Sequence, residues 1–552
     1  MTATLQAPKG AVTAESDGPN EPPASARPVP AALTPWRDPH PVVGWLMTAA
    51  LAVLAGFTRF WALGFPPGAN HIPKNGMNFD EVYYAVEAQE ILRYGYEDNR
   101  GYMFIVHPPL GKWLIAASEW LWDSPNTSAQ YLENSLGWRI APALFGCAGV
   151  IMMARIVRRM TRSNLFGFIG GLLMALEGMS LVLARTAILD IFLQTFVIAG
   201  FGALVIDRDK MRARLAGLVA DGVDLTGGAP TLGPRPWRLV GGVMLGLACA
   251  IKWTGLSFFV LFAVLSLVWD RGALKSAGVR RPTRNWSKRA LLPGLGSLIV
   301  APVGVYLLTW LGWFVGENSW NRHWADSHSP SGHLDIFGLI RIPFTWAWVP
   351  GPIRALGDYH YEAYQFHEGL DSGHAYASSP WSWLVLGRPV DFYYNGSGTA
   401  CGASSCSREV LLIGTPLMWW AFAPMLLWLA WHWITTRDWR AGAVWVASAA
   451  GWLVWFQDLK RTMFLFYMAP LVPFLIMGLT LALGVMLGPA VQPDGDPSRV
   501  ARARRRRSWG IAAVSVYLGL VVVDFAWMWP IFTGGLLTYG EWHAHMWLPS
   551  WV

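Results

Sequence analysis

Met77-Asn78-Phe79-Asp80-Glu81-Val82-Tyr83-Tyr84 follows the first long apolar run of this chain, residues 42–62. That run is long enough to cross a bilayer, for which about 20 mostly apolar residues suffice. Acids just beyond it are not needed to hold the span in lipid. Two adjacent carboxylates, Asp80 and Glu81, at the membrane edge point instead to chemistry on a lipid-linked substrate.

The composition places most of the chain in lipid. Only 14% of the 552 residues are charged and 53% are hydrophobic, whereas soluble domains are about a quarter charged. The 34 Trp fit interfacial belts and loops that touch headgroups. A net charge of +8 would suit a nucleic-acid partner. The basic residues, however, fall in short runs between apolar segments and not on one soluble face, so no nucleic acid is expected. Residues 1–40 are rich in Pro and Ala with no apolar run before Val42. They read as a disordered cytoplasmic tail without a cleavable signal.

Eleven apolar runs are read as spans: 42–62, 137–157, 165–184, 186–206, 238–251, 254–269, 290–314, 411–434, 441–456, 463–488 and 509–529. The fifth and sixth are short and fit tilted or partly re-entrant segments. Lys and Arg in short loops set the orientation. Arg155, Arg158, Arg159 and Arg162 follow the second run, and Arg208, Lys210, Arg212 and Arg214 the fourth. Arg271, Lys275, Arg280, Arg281, Arg284, Lys288 and Arg289 follow the sixth, Arg437 and Arg440 the eighth, and Arg499, Arg502 and Arg504 to Arg507 the tenth. Every even-numbered run then ends in the cytoplasm, and the N-terminus lies inside. Segments 63–136 and 315–410 fall outside, with a tail at 536–552. The first carries two amphipathic helices, Asp80 to Arg93 and Lys112 to Trp122, suited to the interface.

Several residues stand out as candidates. Asn78 with Glu81 three residues on has the spacing of a capping box, which gives Glu81 a structural reading. Neighbouring helical residues diverge by about 100°, so Asp80 is the one left to face a substrate. His107-Pro108-Pro109-Leu110-Gly111-Lys112 is either a rigid turn with a snorkelling lysine or a turn aiming His107 or Lys112 at a phosphate. Arg139, Arg185, Asp190, Lys252, Lys460 and Arg461 lie at span ends on the outer side, against the usual bias. A lipid phosphate held there would account for the cations together, while Arg185 and Asp190 read as an ion pair. Cys401 and Cys406 share a Gly/Ser loop in which a disulfide is open to form. The outer histidines His323, His328, His333, His360, His367 and His374 lack zinc-type spacing, and no metal is expected. Asn126-Thr127-Ser128 and Asn395-Gly396-Ser397 match the glycosylation triplet and are read as unused.

These stretches, in this order, are similar to those of a known family. The set is Asp80-Glu81, His107 to Lys112, Arg139-x-x-x-Ala143-Leu144-Phe145-Gly146, Arg185-Thr186-Ala187-Ile188-Leu189-Asp190, Ile251-Lys252-Trp253-Thr254-Gly255, Arg388-Pro389-Val390-x-Phe392-Tyr393-Tyr394 and Arg461 to Tyr467. The chain resembles the protein O-mannosyltransferases, most of all their actinobacterial branch, over about residues 40–535. The resemblance implies an all-α polytopic membrane protein of GT-C fold, with a catalytic domain over 41–535. It implies a polyprenyl-phosphate-mannose donor, Ser/Thr hydroxyls of unfolded proteins as acceptors, and a plasma-membrane location with the site outside the cytoplasm. Segment 315–410 is too short for the MIR domain of eukaryotic members. The expected mechanism is an inverting displacement with Asp80 as base and Glu81 either positioning it or binding the acceptor backbone. Arg139, Lys252 and Arg461, with His107 and Lys112, hold the donor phosphate, and no cofactor or metal is needed because protein cations do that work. A partnership with the secretion translocon is a further expectation. Two other readings stay open: a GT-C transferase acting on a glycolipid or cell-wall glycan, and a transporter or flippase. The second would place charges mid-span at a repeat interface, and no internal repeat is visible.

Overall fold

The computed structural model describes residues 28–36, 38–66, 77–97, 106–123, 135–226, 228–336, 340–396, 399–488 and 496–552. Most of the expected N-terminal tail, the Asn126-Thr127-Ser128 triplet, the His333 side chain and Ser397 lie outside the described residues. The helices of the first half are α1 (Pro41–Phe60), α2 (Glu81–Tyr94), α3 (Leu110–Asp123), α4 (Ser135–Thr161), α5 (Asn164–Ala175), α6 (Gly178–Leu183), α7 (Asp190–Ala220), α8 (Pro236–Cys249) and α9 (Gly255–Ser276). A continuous helical stretch, α10, spans Pro282–Thr309. The main helices that follow are α11 (Gly351–Glu368), α12 (Pro416–Thr436), α13 (Trp439–Gly451), α14 (Val472–Leu487), α15 (Pro497–Thr533) and α16 (Tyr539–Ala544).

Seven of these, α1, α4, α7, α9, α10, α12 and α15, are long and apolar enough to cross a membrane. α5, α8 and α14 are shorter apolar helices. α13 has 13 residues. The chain is a multi-span membrane protein, and each of the eleven apolar runs holds a helix. Two small sheets add to the helical body. β1 (Ser331–Ile336) pairs antiparallel with β2 (Ile340–Thr345). β3 (Val390–Asn395), β4 (Cys406–Leu412) and β5 (Leu537–Thr538) form the second, in that order. Cys401 and Cys406 are joined by a disulfide with Cα atoms 5.9 Å apart, at the start of β4.

The centre of the molecule is a single stretch of chain. Every residue from Leu173 to Thr195 is buried, across the end of α5, all of α6 and the start of α7. α7 is the inner helix, with 83% of its apolar window covered, against 28% for α1. The outer helices keep apolar rows uncovered, such as Leu256, Val260, Val264 and Val268 at four-residue spacing on α9. Such a row suits lipid, which needs no polar cover from the side chain once the backbone is bonded within the helix.

Close helix approach depends on missing side chains. A Cβ at Gly200 on α7 would lie 2.7 Å from Leu245 Cγ, and one at Gly241 on α8 2.8 Å from Leu204 Cδ2. In lipid such small residues replace hydrophobic drive with backbone-to-backbone packing.

Polar groups gather at two levels. Phe79 N–H donates to Phe392 O at 3.3 Å, so the segments after α1 and before α12 meet on one face. The loops after α4, α7 and α9 meet elsewhere. Arg159 pairs with Asp209 at 3.1 Å, and Arg235 bridges Asp207 and Asp270. Residues 32–34 join them, with Arg212 donating to Ala32 O at 2.8 Å and Arg162 to Thr34 O at 3.1 Å. Asp190 opens α7 at the first level, and Asp207 lies about 25 Å further along the same helix, close to the thickness of a hydrocarbon core.

Gly241→Leu is expected to force α7 and α8 apart at a cost of about 1–3 kcal/mol, lowering the melting temperature in detergent. Gly217→Ala, where nothing lies within 4 Å of the added Cβ, should leave that temperature unchanged or raise it.

Candidate active site

Asp80 is presented between two fixed neighbours. Before it, Phe79 adopts φ of 47°, a left-handed conformation uncommon for a residue with a side chain. Its ring is held in an aromatic cluster, stacked on Phe392 at 5.1 Å and edge-on to Phe464, Phe466 and His374. After it, Glu81 is fully buried. Glu81 Oε2 accepts from Asn78 N–H at 2.7 Å and from Arg139 Nη2 at 2.7 Å. Its Oε1 accepts from Arg139 Nε at 2.8 Å and from Ala187 N–H at 2.8 Å. The first of these is half of the capping box read from the sequence; the Asn78 side chain does not supply the other half. Asp80 itself precedes α2, is half-buried and makes no capping hydrogen bond. Its carboxylate faces a cavity.

That cavity has a volume of 1120 Å³, large beside common ligand pockets of about 300–1,000 Å³. Asp80, just before α2, and Tyr84 and Glu87 on it line the cavity together. The break between α8 and α9 supplies Lys252 and Trp253, and α7 supplies Asp190. Lys252 Nζ donates to Asp190 Oδ2 at 2.7 Å. Arg461, His367 from α11 and His107 line the cavity too, with the His107 ring 6.1 Å from that of Tyr84. Arg461 donates to His367 O at 3.0 Å, to His367 Nδ1 at 3.2 Å and to Tyr467 Oη at 3.4 Å. None of those partners is an anion. The cavity continues onto Leu256 and Val260 of α9, the start of the lipid-facing row.

The second half of the His-Pro-Pro-Leu-Gly-Lys stretch sets the floor. Leu110 N–H donates to Ala250 O at 3.3 Å. A Cβ at Gly111 would sit 2.6 Å from Leu189 Cδ2, so glycine lets α3 close on the centre. Lys112 then lies buried, with Nζ 3.1 Å from Glu87 Oε2 and 2.8 Å from Glu97 Oε1.

Burial governs the protonation of these groups. The Asp80 carboxyl is pushed up to about 6, by burial first, with Lys252 pulling down and Asp190 and Glu87 adding to the rise. His367 is lowered to about 4, by burial and then by Arg461. His107 is held well below its ordinary value, by burial and then by Lys252, His367, Lys112 and Arg461. Both imidazoles are therefore neutral near pH 7, stacked on each other with centroids 5.4 Å apart. Among the described residues no three His, Cys, Asp or Glu side chains converge as metal ligands would.

Known proteins resemble this chain along most of its length. Residues 49–310 match the family model of dolichyl-phosphate-mannose-protein mannosyltransferases, and residues 353–551 match the C-terminal four-transmembrane region of protein-O-mannosyltransferases. A polyprenol-phosphate-mannose–protein mannosyltransferase of Mycolicibacterium smegmatis is 40% identical over 92% of this chain and 93% of its own. One of Mycobacterium tuberculosis is 39% identical over 99% of this chain and 100% of its own. The chain belongs to the protein O-mannosyltransferase family. A solved S. cerevisiae protein O-mannosyltransferase complex, Pmt1-Pmt2 bound to the sugar donor, is 16% identical with a TM-score of 0.68, covering 92% of each chain. It shows the shared GT-C fold.

Within this mannosyltransferase the sequence-derived candidates divide. Asp80, His107, Lys112, Asp190, Lys252 and Arg461 converge on the cavity. Arg139, expected at the donor phosphate, does not. It is fully buried, its guanidinium spent on Glu81 and on the carbonyls of Leu63, Phe65 and Pro66. Lys112, expected there too, reaches the cavity with its charge already matched by two carboxylates. The expected Arg185–Asp190 ion pair is not formed. Arg185 donates to the carbonyls of Thr58, Arg59, Trp61 and Ala62. Those carbonyls lie at and just past the end of α1, and Asp190 is taken by Lys252. Glu87, Tyr84, Trp253 and His367 were missed as lining residues. The i, i+4, i+7 spacing of Asp80, Tyr84 and Glu87 on an amphipathic helix was the available signal for the first two.

Glu81→Gln leaves Arg139 buried without its counter-ion, which costs about 3–5 kcal/mol in comparable pairs. A lowered melting temperature and yield are expected for that protein in detergent. Asp80→Asn should melt within a degree or two of wild type.

Proposed function

We propose that this chain transfers mannose from polyprenyl-phosphate-mannose to Ser or Thr hydroxyls of proteins at the outer face of the plasma membrane. The observation that carries this is the placement of Asp80, without a capping bond, at a cavity that Arg461 and Lys252 also line. The names of the mycobacterial relatives supply the donor and the acceptor class. The basic loops lie on the cytoplasmic side by the positive-inside rule, which puts the cavity where nucleotide sugars are absent and a flipped lipid-linked sugar is the available donor.

The reaction is a single inverting displacement. The acceptor oxygen attacks the anomeric carbon and its proton passes to the Asp80 carboxylate, while the bond from that carbon to the phosphate oxygen breaks. Positioned general bases contribute about 10²–10⁴-fold. Charge grows on the departing phosphate, and preorganised cations stabilise it there. Arg461 is the principal anchor, because its side-chain partners are neutral, and Lys252 is shared with Asp190. His107 and His367 offer neutral imidazoles. The apolar row on α9 carries the polyprenyl chain out to lipid. Acceptors arrive as extended chains, delivered unfolded by the secretion machinery.

Three outcomes are expected in liposomes containing the purified enzyme, radiolabelled polyprenyl-phosphate-mannose and a Thr/Ser/Pro/Ala-rich peptide. Wild type labels the peptide and Asp80→Asn does not; label on a lipid or glycan in place of the peptide would move the enzyme to the glycolipid-modifying branch. The rate rises with pH through about 6, because a base must be unprotonated; a flat profile from pH 5 to 7 would remove Asp80 from that role. Arg461→Ala raises the KM for donor about tenfold or more, as loss of a charge-assisted contact does.

A further inference from the structure

Glu87 takes no part in the displacement, yet it lines the same cavity as Asp80. Asp80 stands just before α2 and Glu87 on its second turn, seven positions further on with Tyr84 between them. Glu87 Oε2 lies 3.1 Å from Lys112 Nζ, and the Glu87 side chain is 18% exposed while that of Lys112 is 1% exposed. Glu97, 7% exposed, holds Lys112 from the other side at 2.8 Å. Burial pushes the Glu97 carboxyl up to about 7, and with Glu87 beside it Lys112 has no positive charge left over, so this end of the cavity offers a phosphate no net attraction. A carboxylate accepts from hydroxyls, and an ammonium with three donors gives to hydroxyl oxygens. Such a pair suits a neutral polyol.

Resting on the mannosyl-donor reading, we propose that Glu87, fixed by Lys112, recognises the hydroxyls of the sugar being transferred. The phosphate then lies toward Arg461 and Lys252, the anomeric carbon beside Asp80, and the far hydroxyls over Glu87. Tyr84 and Trp253 flank that path with aromatic rings. Glu97 keeps Lys112 from swinging toward the phosphate. Selectivity for the sugar follows, since a site built to bond hydroxyls discriminates strongly when one is displaced.

The test is competition binding to the full-length enzyme in detergent, with polyprenyl-phosphate-mannose and with polyprenyl phosphate as separate ligands. For Glu87→Gln the affinity for polyprenyl-phosphate-mannose should fall about tenfold to a hundredfold, while polyprenyl phosphate stays within twofold. Glu87→Asp keeps the charge on Lys112 but shortens the reach; it should show the same ligand-selective loss to a smaller degree, and decides the matter if Glu87→Gln does not fold. Equal losses for both ligands, or none, would overturn the assignment. A wild type that binds neither ligand would sink the donor reading itself, whereas a wild type that binds both, with variants that do not separate them, sinks only the role of Glu87.

Discussion

The ion pair between Glu81 and Arg139 is the constraint on which the site depends. Both side chains are fully buried, and charges in such a place are costly unless every oxygen and N–H finds a partner. Here the Glu81 carboxylate collects bonds from Asn78, Arg139 and Ala187, and the other edge of Arg139 closes on carbonyls just past α1. One carboxylate therefore joins the start of α2, the span α4 and the buried turn before α7. Asp80 is the adjacent residue, so its direction is inherited from that joint.

A second consequence concerns the cavity's charges. Each cation in or near it has a distinct set of partners, and the partners decide what it can hold. Arg139 is consumed structurally and Arg185 finishes α1. Lys112 is balanced by Glu87 and Glu97, and Lys252 is half-committed to Asp190. Arg461 bonds neutral groups, a carbonyl, an imidazole and a phenol. The same burial that raises Asp80 lowers His107 and His367, which keeps the imidazoles neutral beside the cations.

Much of this protein was legible as sequence because lipid imposes simple rules. Apolar runs of about 20 residues must become helices, since no other open backbone satisfies itself in hydrocarbon, and every expected run holds one. Segments 63–136 and 315–410, assigned to one side by counting crossings, meet through Phe79 and Phe392. The short strands were not read, because β3 and β4 are specified by pairing across a loop and with distant β5, not by a periodic pattern of their own.

Sequence by itself determined the membrane-spanning helical class, the family, and Asp80 as the acid to watch, because these rest on composition, local order and neighbouring residues. Only the tertiary structure decided which cations face the cavity. That choice is made by partners far along the chain: Glu81 and Arg139 are 58 residues apart, and Asp190 and Lys252 are 62 apart. A charge in a low-dielectric interior acts through whatever lies within a few ångströms of it, and separation along the chain does not reveal that.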